Sequence, residues 1–299
     1  MRTVTKAVIP VAGLGTRVLP ASKAIPKEML PVGDKPVIQH VVEEAIAAGI
    51  TQIILVTRSG KEAIENHFDA HYELEAELEI KGKIAELASV RNIQPPEVEI
   101  VSVRQPRALG LGHAVLCAAG IVGDEPFAVL LPDVLINRKI TDRHPADMAG
   151  MMQAFAREGT AQIMVEPVPE AHAERYGIVD CGGASLSGGD AHPIRGMVEK
   201  PPQGSAPSNL AIVGRYILPA QIMQLLKTTP RGAGGEIQLT DALAALLEQM
   251  PIEAYHMHGK SYDCGNKLGY LQANMVWGLQ NPQTGNELRA FLERQLAEE

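Results

Sequence analysis

The chain has 299 residues, 45% of them apolar, with 35 acidic against 27 basic side chains and a formal net charge of −8. That length is ample for a large core, and the acidic balance excludes non-specific nucleic-acid binding, so an anionic ligand has to be met by local cations. Four Phe and one Trp provide no stacking platform for single strands, no apolar run is long enough to span a membrane, and the scattered Cys117, Cys181 and Cys264 form no CxxC pair, which predicts a reduced, cytoplasmic protein without disulfides, zinc or signal peptide.

The elements alternate along the chain. "AVIPVA" (7–12), "QIILVT" (52–57), "VEIVSV" (98–103), "FAVLLP" (127–132) and "QIMVEPV" (162–168) read as buried strands. A helix is predicted with Pro36 as its first residue, apolar positions at Val37, Val41, Ala45 and Ala48, and Gly49 as its C-terminal cap. A charged helical region over about 61–88 belongs on the surface, and "GHAVLCAAG" (112–120) and "PADMAGMMQAFAREG" (145–159) continue the strand–helix rhythm. This order predicts an α/β fold: a Rossmann-like, mostly parallel central sheet flanked by helices, with ligands at the carboxyl ends of the strands. From about 176 short strands ("YGIVDC", "IRGMVEKP", "LAIVGRYIL") alternate with Gly/Pro/Ser-rich turns, which predicts an inserted mixed or antiparallel layer. "EIQLTDALAALLEQM" (236–250) reads as a helix, "IEAYHMHG" as a strand running into "KSYDCGN", and 266–298 as C-terminal helices. With no repeat and no low-complexity linker, one domain is expected over 1–299, divisible into 1–135, 136–265 and 266–299.

The loop after the first strand, "AGLGTRVLPASKAIPKEML", carries the strongest chemical signal. A dinucleotide fingerprint needs a third glycine where Val18 stands, and Pro20, Pro26 and Pro31 break the helix that should follow; the GxxxxGK[ST] pattern is absent. What remains is a glycine turn whose backbone N–H groups can approach an anion, followed by Arg17, Lys23 and Lys27, a set that suits a polyphosphate. Nine histidines fall in no HExxH pattern and no GxSxG is present. His113 reads as a helix-start residue, Cys264 as a packed thiol, and Trp277 as core or subunit interface.

The segment "AVIPVAGLGTRVLPASKAIPKEMLPV" resembles the opening signature of the bacterial UTP–glucose-1-phosphate uridylyltransferases, in the sugar-phosphate nucleotidyltransferase family. The resemblance continues through "ENHFD", "VRQPRALGLGHAVLCA", "LPDV", "YGIVDC", "VEKP", "APSNLAIVGRYIL", "GGEIQLTDAL" and "EAYHMHGKSYDCGNKLGY", almost the whole chain. It implies a reaction of UTP with glucose 1-phosphate giving UDP-glucose and pyrophosphate, by in-line attack of the sugar phosphate on the α-phosphorus. The attacking oxygen is already an anion, so positioning and charge stabilisation must carry catalysis.

Three groups of residues are then expected. Arg17 sits on the leaving phosphates as the resemblance implies, with Lys27 as the second cation and Lys23 solvated. Mg²⁺ is held by Asp133, at the carboxyl end of a strand, and Asp263, between a strand and a helix. The resemblance assigns Gln105 to the uracil edge, with Glu28, Gly110 and the loop residues Ala12, Gly13, Gly15 and Thr16 completing the nucleotide pocket. A glutamine amide can flip, so Gln105 alone does not choose the base. On the sugar side it assigns Glu199 to hydroxyls and Lys200 to the sugar phosphate, with Gly177, Asn209 and Gly214 alongside. Family relatives assemble as homodimers or homotetramers, which is the expectation here; no nucleic acid or membrane partner is expected.

Overall fold

Strand residues alternate between two faces, and in this chain both faces are apolar. In the strand β1 (Lys6–Pro10), Ala7 and Ile9 enter one core while Val8 enters the other. Phe127 and Val129 part from Ala128 and Leu130 in the same way. A strand buried on both faces reads as a continuous Val/Ile run, and it needs helices on both sides.

The computed structural model describes residues 3–137 and 147–298. Two short strands, β2 (Pro31–Val32) and β3 (Lys35–Pro36), precede helix α1 (Val37–Ala47) and strand β4 (Gln52–Thr57). Helices α2 (Glu62–Phe68), α3 (Tyr72–Ile80) and α4 (Ile84–Arg91) lead to β5 (Glu99–Arg104), α5 (Leu111–Cys117) and α6 (Ala119–Val122). Strands β6 (Phe127–Leu130) and β7 (Val134–Asn137) come before α7 (Asp147–Glu158) and β8 (Ala161–Pro167). Next are β9 (Gly177–Asp180), β10 (Ala191–Pro193), β11 (Gly196–Glu199) and β12 (Leu210–Leu218). Helices α8 (Ile222–Thr228) and α9 (Leu239–Leu247), strands β13 (Ile252–His256) and β14 (Lys260–Asp263), and helices α10 (Lys267–Gln280) and α11 (Gly285–Ala297) complete the chain.

The main sheet runs β10-β13-β8-β12-β6-β1-β4-β5. β6, β1, β4 and β5 are parallel, and so are β8 and β13; β12 is antiparallel to both β6 and β8. The predicted mostly parallel α/β sheet is present, with α1, α7 and α10 against one face and α5, α8 and α9 against the other. β9 and β11 form a ribbon that joins the sheet through β12.

Several local expectations change. The antiparallel element is not a separate layer, because β12 lies in the middle of the main sheet. β5, expected buried, is the edge strand and is half exposed. The charged helical region consists of the three helices α2, α3 and α4 and runs on to Arg91. Pro36 is extended (ψ 149°) and caps the helix from outside, while Gly49 at φ 102° ends it as expected. The helix read as 145–159 begins at Asp147; residues 145 and 146 lie outside the described residues. β7, β10 and α8 have no counterpart in the sequence reading.

This topology positions the site. The loops leaving β1, β4, β5 and β6 emerge on one edge of the sheet, at the carboxyl ends where parallel strands expose free backbone groups. β7 and β14 form their own two-stranded sheet, with Asp263 opposite Val134, so Asp133 and Asp263 come together although far apart in sequence.

Candidate active site

The glycine loop is a chain of short helical turns, Thr16–Val18, Ala21–Lys23 and Lys27–Met29. Gly15 has φ 69°, and a Cβ there would meet Ser22 Cβ at 3.2 Å and Lys27 Cβ at 3.3 Å, so the turn folds back tightly on Lys27. Ser22 Oγ donates to Gly15 O at 2.7 Å and closes it. Gly13 and Thr16 are exposed on the same loop and Ala12 is buried at its start.

Arg17 and Lys27 converge on the two predicted carboxylates. Arg17 Nη1 donates to Asp263 Oδ2 at 3.0 Å, and Arg17 Nη2 lies 3.7 Å from Asp133 Oδ2. Lys27 Nζ donates to the same Asp133 oxygen at 2.5 Å. Burial alone would raise the Asp133 carboxyl, but the Lys27 charge and hydrogen bond, helped by Arg17, hold it below the usual carboxylate range. Burial likewise works against the Lys27 ammonium, and Asp133 and Glu28 outweigh it, so Lys27 is raised and stays charged. Lys23 is exposed, the solvated side chain expected of it.

Gly265 is a residue the sequence reading passed over. A Cβ built on it would lie 2.3 Å from Asp133 Oδ2, 2.6 Å from Arg17 Nη2 and 2.8 Å from Asp263 Oδ1. The space a side chain would fill is thus shared by both carboxylates and the guanidinium. Gly265 N donates to Asp263 Oδ1 at 2.8 Å. Two carboxylates beside such a cradle are oxygen donors of the kind a hard divalent cation takes, its shell being completed by other oxygens and water.

Glu28 is not where it was expected. Its carboxylate is wholly buried and bonded to Lys61 Nζ at 2.7 Å, so it lies behind Lys27 and offers no surface to a ligand. Burial raises its carboxyl, and Lys61 and Lys27 pull it back only in part. Lys61 was also unforeseen, since nothing local marks it as an internal partner.

Gln105 caps the edge strand and borders an open cleft of about 310 Å³ with Ala12, Arg58, Ser59, Arg104, Pro106 and Ala108. Its Nε2 bonds to Gly110 O at 3.1 Å and His113 Nδ1 at 3.0 Å. Burial lowers the His113 pKa, which favours a neutral ring whose Nδ1 accepts. With both acceptors on Nε2, the amide is oriented with its NH₂ toward Gly110 and His113. Gly110, at φ 100°, packs so closely that a Cβ would lie 2.6 Å from Glu236 Cβ.

Of the residues expected on the sugar side, Glu199 Oε2 accepts from Thr240 Oγ1 at 2.7 Å, and Lys200 Nζ lies 3.5 Å from Glu199 Oε1. Lys200 is the one non-glycine residue with positive φ (47°) among those described, with its N–H on Tyr176 O at 3.0 Å. Such a backbone is held only by its surroundings and fixes the direction of the side chain. Gly177 packs closely there: a Cβ would lie 3.0 Å from Ile212 Cδ1 and 3.1 Å from Glu199 Oε2. Burial raises the Tyr176 phenol, the Asp263 and Glu166 carboxylates add to that, and Arg175 and Arg17 oppose it. Asn209 is exposed, and its carbonyl accepts from Val168 N at 2.9 Å. Gly214 is corrected to a buried bulge residue at φ 89°, covered by Leu131, so backbone conformation and packing together require a glycine. Thr240 is a further residue the sequence reading left unassigned.

A profile of the family described as Nucleotidyl transferase matches residues 6–278. The chain is 58% identical, over 293 residues covering 98% of it and 96% of the relative, to the UTP–glucose-1-phosphate uridylyltransferase of Escherichia coli (strain K12). The chain belongs to the nucleotidyl transferase family, in its UTP–glucose-1-phosphate uridylyltransferase branch. Among solved structures of that branch, a UTP-bound enzyme from Acinetobacter baumannii superposes with a TM-score of 0.90 at 53% identity, covering 97% of this chain and 98% of that one. A UDP-glucose pyrophosphorylase complexed with UDP-glucose superposes with a TM-score of 0.82 at 40% identity, covering 93% and 100%.

Proposed function

We propose that the protein transfers the uridylyl group of UTP to glucose 1-phosphate, forming UDP-glucose and releasing pyrophosphate. The observation that carries this reading is the meeting of Arg17, Lys27, Asp133 and Asp263 around Gly265, in a chain whose family relatives carry that activity. The chemistry follows from charge. The sugar phosphate attacks the α-phosphorus in line and the bond to pyrophosphate breaks, so negative charge gathers on the leaving oxygens. Arg17, exposed on the glycine loop, meets that charge; Lys27, held by its ion pair with Asp133 at 2.5 Å, keeps its position beside the phosphates.

A divalent cation, which we assign as Mg²⁺, would be held by Asp133 and Asp263 and would neutralise phosphate charge. Gln105 Oε1 accepts from the N3–H of uracil, a donor that cytosine lacks at that position. Glu199, fixed by Thr240, accepts from sugar hydroxyls, and Lys200 neutralises the sugar phosphate. The free thiols Cys117, Cys181 and Cys264 suit a reducing cytoplasm. No helix among the described residues is long and apolar enough to cross a membrane. For the homo-oligomer, the candidate face is α10, which exposes Leu268, Leu271 and Met275.

The test is pyrophosphate release with Mg²⁺ and glucose 1-phosphate, offering UTP, dTTP, ATP, CTP and GTP separately. UTP is expected to win widely, and Arg17→Ala to lose turnover on the order of 100-fold or more. Preference for another nucleotide would reject the base assignment, and unchanged turnover in Arg17→Ala would reject the role of that side chain.

A further inference from the structure

Arg215 sits in the middle of β12 and is 1% exposed, among the largest side chains to be so fully buried. All of its N–H groups are engaged. Nε and Nη2 bond Glu44 Oε1 and Oε2 on α1 at 3.0 and 2.8 Å. Nη2 also donates to Val134 O at 2.7 Å, and Nη1 to Leu131 O at 3.2 Å and Gly214 O at 3.4 Å. Leu131 and Val134 bracket Asp133. The guanidinium therefore grips the turn carrying that carboxylate from both sides, and Cys264 N holds Asp133 O at 2.7 Å from the third.

Neighbouring features serve the same grip. The bulge at Gly214 shifts the β12–β8 register between Ile212 and Tyr216, and Gly214 O accepts from Leu131 N at 2.9 Å. A buried ion pair is a poor device for stability alone, since a well-packed apolar pair of the same size serves as well or better. Its planar fork does something an apolar pair cannot: it fixes two carbonyls at defined directions.

We propose that Arg215, braced by Glu44, is a positioning residue that fixes the 131–134 turn so that the Asp133 carboxylate faces Lys27 and the metal. The inference rests on the reading of Asp133 as a metal ligand. Arg215 touches no reactant; it acts through the backbone on either side of Asp133.

The experiment uses the full chain with Glu44 and Arg215 both replaced by Met, which removes the pair without leaving a lone buried charge. Urea midpoint, kcat, KM for glucose 1-phosphate, and Mn²⁺ affinity in the ternary complex with UTP, by water proton relaxation, are compared with the parent and with Asp133→Asn. The expected result is a urea midpoint at or above the parent's, an unchanged KM for glucose 1-phosphate, a kcat lower by about 10- to 100-fold, and Mn²⁺ bound at least about fivefold more weakly. Arg215→Lys keeps the charge and loses the fork; it is expected to fold and to show the same two defects more mildly, and it decides the matter if the double variant does not fold. Parental kcat and Mn²⁺ affinity in a folded variant, with Asp133→Asn defective in Mn²⁺, would overturn the positioning role while leaving the metal reading intact. Parental Mn²⁺ affinity in Asp133→Asn would overturn the metal reading, and this inference with it.

Discussion

The missing side chain of Gly265 is the clearest single-residue determinant in the site. A methyl group there would collide with Asp133 Oδ2, Arg17 Nη2 and Asp263 Oδ1. All three atoms are the far ends of side chains, and at least Arg17 has open solvent to retreat into. The fold can therefore absorb the substitution while the charge cluster cannot. Gly265→Ala is expected to keep the parental circular dichroism and to lose turnover by about 100-fold, because Arg17 and the two carboxylates are pushed apart by about an ångström. Steady-state kinetics on the purified variant check it, and turnover within a factor of two of the parent would remove Gly265 from the site. The contrast with Arg17 shows what sequence makes legible. Arg17 beside a glycine turn reads as a candidate for an anion, because a cation and free backbone N–H groups stand together there. Gly265 inside "SYDCGN" looks like any strand-to-helix glycine, and its value appears only once Asp133 arrives from a distant strand. Glu28 failed in the opposite direction: adjacent to Lys27 in sequence, it turns inward to Lys61, and no local pattern gives that direction.

Among the elements, the long apolar strands were legible because burial on both faces leaves a run of Val and Ile that nothing else explains. β4 and β12 lie where "QIILVT" and "LAIVGRYIL" stand. Position within the sheet was not legible. The Val/Ile pattern of β5 is that of a central strand, yet it lies at the edge. β7 was hidden because only a Pro-Asp turn separates it from β6, and its partner β14 is far along the chain. This distant pairing aligns the two aspartates, so the candidate metal site is a product of tertiary pairing. The α9–β11 contact works similarly: Thr240 in the first turn of α9 hydrogen-bonds Glu199 at the end of β11. Thr240→Val preserves shape and removes the donor. Losing about 1 kcal/mol of orientation at Glu199 corresponds to about a fivefold rise in KM for glucose 1-phosphate, with KM for UTP unchanged. Substrate titrations of each reactant separate the two, and an equal change in both would assign Thr240 to general packing.

For the whole molecule, the question is whether the two halves and the C-terminal helices behave as separate units. At 299 residues the chain exceeds the size at which all-or-none unfolding is the default. The placement of β12 argues that the halves cannot part. It pairs with β6 on one side and β8 on the other, so strands from 1–135 and from 136–265 share one hydrogen-bonded sheet. Each core is shared too: one combines Ile9 and Val41 with Met164, Val213 and Tyr262, the other Val8 and Val115 with Ile163 and Leu243. The C-terminal helices join through Ala273, which is wholly buried, and through Trp277, which meets Tyr262 edge-on at 5.9 Å and His40 at 5.7 Å. We therefore expect one cooperative unit. Because Trp277 is the sole tryptophan, its fluorescence reports the seam between α10, β14 and α1, while far-UV circular dichroism reports the whole chain. The two urea transitions are expected to share one midpoint. An earlier fluorescence transition would show α10 detaching from a sheet that survives it, and would return 266–299 to the status of an appended segment.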